Sequence, residues 1–132
     1  MIRWIALPIA ALMGCTASAE MQTSELSRAD KALAKALEGR TAGKPQSCIS
    51  ASFSTGPEII SDKTILYREV GRTVWRNDLI GPCPSLAPME TIAVEIHGSE
   101  ICHNDRFRVI PFGGGIPSAP CRLGKFVPYK KM

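Results

Sequence analysis

The chain has 132 residues, 16 Lys and Arg against 12 Asp and Glu, a formal net charge of +4, and five cysteines. That length bounds a single small domain, and basic residues scattered from Arg28 to Lys131 make a soluble surface, not a nucleic-acid footprint. A helix that crosses a bilayer needs about 20 apolar residues; the apolar run from Trp4 to Met13 falls well short of it, and no later segment comes closer.

Residues 1–19 read as a signal peptide: Arg3, then the apolar run, then small residues from Gly14 to Ala19. Two processing sites overlap within it. Leu12-Met13-Gly14-Cys15 resembles a lipobox, which makes Cys15 a lipid-attachment residue and the membrane a partner through its acyl chains. Ala17-Ser18-Ala19 is a small-x-small site for ordinary signal peptidase and would release a soluble protein starting near Glu20. The lipid-anchored reading is preferred; either route predicts an exported protein, in the periplasm or anchored in the cell envelope. Loss of Arg3 leaves 15 basic against 12 acidic residues, a mature charge of +3.

Residues 20–46 read as an amphipathic helix and a linker. Leu26, Ala29, Leu33 and Leu37 fall on one side at helical spacing, with Ala32 and Ala36 beside them and Arg28, Lys31, Lys35 and Glu38 opposite. Ser24 is placed to cap the start and Gly39 to end it. The expected role is packing on a sheet, with a spacer holding the domain off a membrane as the alternative.

From residue 47 to 132 the pattern changes to short strands broken by Gly, Pro and Asn. Strands are predicted at Cys48 to Phe53, Glu58 to Ser61, Thr64 to Val70, Arg72 to Arg76, Thr91 to His97, Arg106 to Ile110 and Cys121 to Val127, with Gly71 at the tip of a hairpin. The predicted fold class is mainly β: a small antiparallel sheet, curled or barrel-like, with one N-terminal helix. Cys48, Cys83, Cys102 and Cys121 form an even set that reads as two disulfides in an oxidising compartment. Zinc ligation usually draws on close Cys pairs, and successive cysteines here are 35, 19 and 19 positions apart, so no metal is expected. Of the three possible pairings the nested one, Cys83 with Cys102 and Cys48 with Cys121, is favoured because it would tie the first strand to the last.

An enzyme would have to be built from Cys102, His97, His103 and Asp105. A catalytic thiol would leave three cysteines in an exported protein, and Cys102-His103-Asn104-Asp105 reads as a turn. No nucleophile-elbow or zinc-peptidase motif is present, so a catalytic role and a cofactor are not expected. Trp75 and Arg76 are candidates for a recognition patch if the indole is exposed, against the plainer expectation that Trp75 fills the core. The loop Pro111-Phe112-Gly113-Gly114-Gly115-Ile116-Pro117 lacks the lysine and following helix of a phosphate-binding loop and reads as a hairpin tip.

Cys48-Ile49, Asp62-Lys63-Thr64-Ile65-Leu66, Trp75-Arg76-Asn77-Asp78-Leu79, Cys83-Pro84-Ser85-Leu86, Ile101-Cys102 with Asp105, and Cys121-Arg122-Leu123-Gly124-Lys125-Phe126-Val127-Pro128 together resemble a family. It is an uncharacterised group of small exported proteins of Gram-negative bacteria, often lipoproteins, defined as a domain of unknown function. The likeness covers most of residues 46–128. It implies a shared fold and compartment and carries no activity, ligand or catalytic residue with it. The expectation is a non-catalytic envelope protein that binds an unidentified envelope partner or supports structure. The alternatives are a small periplasmic enzyme using His97, His103 or Asp105, and a hydrolase inhibitor presenting residues 111–117.

Overall fold

The computed structural model describes residues 17–52, 56–69, 71 and 73–132; the apolar run, the lipobox with Cys15, and the predicted strand residues Phe53, Val70 and Arg72 lie outside the described residues. Among the described residues one helix, α1 (Ala17–Ala36), is followed by ten short strands. These are β1 (Arg40–Ala42), β2 (Cys48–Ser50), β3 (Glu58–Ile59), β4 (Thr64–Arg68), β5 (Thr73–Asp78), β6 (Thr91–Val94), β7 (Glu100–Cys102), β8 (Arg106–Ile110), β9 (Cys121–Arg122) and β10 (Phe126–Lys131). Mainly-β architecture with one N-terminal helix is therefore the fold, but the sheets are open and do not close into a barrel.

The helix begins ahead of Ser24, which lies inside it and caps nothing. Ala17, Ala19, Glu20, Met21 and Gln22 are good helix formers, and Glu20 sits in the first turn, where the helix dipole favours an acid. Gly39 is where the helical segment turns away, with φ of +68°, a left-handed backbone that glycine adopts without a Cβ penalty. The chain then enters β1 directly, in a stretch that sequence assigns to the linker because Arg40, Thr41 and Ala42 carry no apolar alternation.

Three antiparallel sheets result: β1-β10-β5-β4-β3, β2-β7 and β6-β8-β9. The five-stranded sheet is the middle layer. Its alternating residues split cleanly: Ile65, Tyr67, Trp75 and Phe126 face the main core, while Leu66, Val74 and Tyr129 face α1. On the main-core side Ile49 and Ile101 come from β2 and β7, Phe107 and Val109 from β8, and Cys83, Leu86 and Leu123 from the connections. On the other side α1 contributes only Ala29, Leu33 and Ala36, with Leu37 just beyond its end. Leu26 stays exposed. Full burial of large side chains such as Phe107, Phe126 and Leu123 contributes about 1.5–3 kcal/mol each, so most hydrophobic stabilisation lies on the side away from the helix.

Both disulfides form, but they interlace where sequence favours nesting: Cys48 pairs with Cys102 and Cys83 with Cys121. The pairing follows from the sheets. β2 lies against β7 with Cys48 directly opposite Cys102 and Cα atoms 4.0 Å apart. Cys121 sits in β9, hydrogen-bonded to β8, and reaches Cys83 in the connection after β5, Cα to Cα 5.8 Å. The strand at Cys48, expected to be tied to the last, is instead tied to β7, and it is β1, in the stretch read as linker, that hydrogen-bonds to β10.

Candidate interaction surface

Of the polar residues from which an enzyme would be assembled, Cys102 and Asp105 have their side chains engaged by the fold, while His97 and His103 take part through their backbone. Cys102 is in a disulfide. The Asp105 carboxylate accepts a hydrogen bond from the Cys102 amide at 2.7 Å and the Asp105 amide donates to the Cys102 carbonyl at 3.1 Å, closing the turn that Asn104 completes with a φ of +78°. Asn104 and Asp105 also exchange backbone hydrogen bonds with Leu123, so this turn holds β7 to the segment after β9. The His103 amide donates to Ser47. His97 is exposed, bridged to Glu100 across the turn between β6 and β7. Among the described residues, no hydrogen bond joins the side chains of His97, His103 and Asp105, and they line neither of the two main clefts.

Cys48, Cys102 and Glu100 bring their donor atoms within 4.8 Å of one another. Both sulfurs are bonded to each other, which removes the thiolates a metal would require.

Trp75 is 8% exposed, with its indole in the main core and its N–H donating to the Glu69 carboxylate at 3.0 Å. Arg76, on the opposite side of β5, pairs with Asp78 at 3.0 Å. The two side chains therefore do not form a surface patch, because strand alternation sends neighbours to opposite faces. Burial of Trp75 also places Asn77 inside, two residues along the same face. Asn77 is fully buried, and its side-chain amide pairs with the backbone of Gly124: Nδ2 donates to the Gly124 carbonyl and Oδ1 accepts from the Gly124 amide, both at 2.8 Å. A Cβ on Gly124 would run into the Asp78 carbonyl oxygen, so only glycine permits this approach. The alternation of β5 was the available signal: a polar residue two positions from a core Trp must find partners inside.

The glycine loop projects. Its base is closed where Val109 and Ser118 exchange hydrogen bonds through the Ser118 amide and hydroxyl, each 2.9 Å. Its flank is held by the Phe112 amide, which donates to Glu90 at 2.6 Å, and its tip is turned by the Gly114 amide on the Pro111 carbonyl. Held in this way, Phe112 is 77% exposed and Ile116 90%. Met89, next to Glu90, is 78% exposed and has a φ of +78°, a strained backbone for a bulky residue. Beside it opens the larger cleft, with Gln22, Leu26 and Ala29 of α1 on one wall and Ile60, Leu86 and Pro88 on the other.

These features define a disulfide-stapled, helix-backed β domain in which Cys102 and Asp105 serve the fold and whose most conspicuous surface is apolar. The family of unknown function DUF6491 matches residues 1–131, and the chain belongs to that family. The segments that carry the resemblance have structural explanations here: Trp75 and Asn77 in the core, Gly124 beneath Asn77, and four cysteines in two bridges. Comparison with curated proteins and with solved structures returned no match. No helix among the described residues is long and apolar enough to cross a membrane.

Proposed function

We propose that the chain is a non-catalytic protein of the bacterial cell envelope, exported by residues 1–19, lipid-anchored through Cys15, and built to dock or support at a membrane face. The observation that carries this reading is the pair of disulfides, one spanning a sheet and one in the core, because such bridges persist outside the reducing cytoplasm. The occupation of Cys102 and Asp105 by the fold supports the non-catalytic half of the proposal.

Intact-mass measurement on protein recovered from its native envelope, before and after reduction and alkylation, tests it. The expected species starts at Cys15, carries acyl chains, and exposes four alkylatable thiols only after reduction. A species starting near Glu20 without lipid would remove the anchor and keep the export; four thiols free before reduction would remove the envelope reading altogether. The inhibitor reading of residues 111–117 has less support. Gly113, Gly114 and Gly115 have φ of 84°, 91° and 149°, not the extended backbone that adds as a strand to a peptide-hydrolase cleft.

A further inference from the structure

We infer that Met89, Phe112 and Ile116 form a membrane-contacting tip that seats the domain on a bilayer surface, at the end of the molecule where the chain enters α1. Exposed large apolar residues scattered singly need no explanation, but these are gathered. The Phe112 amide is bonded to Glu90, the neighbour of Met89, and Ile116 lies on the same ten-residue connection between β8 and β9. Loop 111–117 carries no charged side chain, and Glu90 is engaged by the loop backbone.

Placement identifies the occupant. Pro88, adjacent to Met89, lines one cleft with Gln22, Glu25 and Leu26 of the amino-terminal half of α1 and with Arg28, Ala29 and Ala32 beyond it, so Met89 stands close to that helix. Met21 and Leu26 of that half are exposed as well, at 67% and 55%. The sequence immediately ahead of α1 holds Cys15 and the apolar run. An acyl chain on Cys15 would bring a bilayer to this end of the domain. Projecting Phe and Ile side chains on a braced loop, with Met89 beside them on the connection before β6, then enter the interfacial region, where apolar burial gains free energy and loop backbone stays hydrated. One anchor leaves the domain free to swing, whereas an anchor and a tip fix its orientation. The inference rests on the envelope reading for its bilayer and on these side chains for its contact.

The test uses the full chain, purified from the envelope and reconstituted in vesicles of phosphatidylethanolamine with a minority of phosphatidylglycerol. Phe112→Trp adds a reporter whose signal is read as the difference from the parent, since Trp75 is buried. The expected result is quenching of that signal by lipids brominated on the acyl chain and protection from iodide. In a Cys15→Ser chain, added Phe112→Ser and Ile116→Ser should weaken vesicle partitioning by about tenfold. A residue-112 tryptophan reached by iodide and not by acyl bromine overturns the inference, and is also the outcome if a protein cleft is the true occupant. So does a full chain that binds no vesicles. A mature mass without acyl chains, with the 112 reporter still quenched by bromine, would overturn the anchor alone.

Discussion

The two faces of the five-stranded sheet are held by different means. One face carries β2-β7 and β6-β8-β9, both disulfides and most of the fully buried side chains. The other carries one helix that touches the sheet through Ala29, Leu33 and Ala36 and leaves its first half uncovered. The chain thus concentrates its stability on the face away from the helix. A two-stranded sheet is marginal by itself, and both small sheets here are cross-linked by a disulfide and packed on the middle layer, while a helix with its own backbone hydrogen bonds needs only a light seat.

That contrast can be broken from the heavy side first. Replacing Cys83 and Cys121 together by Ala should lower stability by about 4 kcal/mol, the chain-entropy value for their separation of 38 residues, read from urea unfolding of the oxidised protein. Asn77→Ala should cost about 2–4 kcal/mol, because it leaves the buried Gly124 amide and carbonyl without their partner; a loss below ~1 kcal/mol would mean the pairing is incidental. Leu33→Ala, on the helix side, should cost about 1–2 kcal/mol and leave the β-sheet circular dichroism unchanged, since the side chain is only partly buried.

Alkaline titration sharpens the same contrast. Burial raises the Tyr67 phenol above its ordinary value of 10.0, so the folded state keeps the proton when the unfolded chain has lost it. Stability is therefore intact below that value and falls as pH rises above it. Tyr67→Phe should flatten this fall in urea midpoints measured from pH 9 upward. The smallest effect belongs to the tip: Phe112→Ser should change stability by less than ~0.5 kcal/mol, because the side chain packs on nothing that the fold needs.

Much of the heavy face was legible in the sequence. The hairpin of β4 and β5, the strand at Arg106–Ile110 and the even cysteine set come from local patterning and turn residues. β1 and β7 were not, because Arg40-Thr41-Ala42 and Glu100-Ile101-Cys102 are too short and too polar to show a period; each is a strand only through its partner. Cysteine pairing failed for the same reason, since it depends on which sheet Cys121 joins. The predicted strand at Cys121–Val127 is two strands, β9 and β10, serving different sheets, and the break at Leu123-Gly124-Lys125 is where Asn77 docks. At the surface, the exposed loop was legible as a glycine-rich turn. Its alliance with Met89 was not, since that rests on the register of β6 against β8, with Thr91 opposite Ile110.

Peptide mapping of the protein taken from cells, digested without reduction, tests the interlaced framework most directly. Two cross-linked species are expected, one joining the Cys48 and Cys102 peptides and one joining those of Cys83 and Cys121. Peptides joining Cys83 to Cys102, or four cysteines recovered as free thiols, would contradict it.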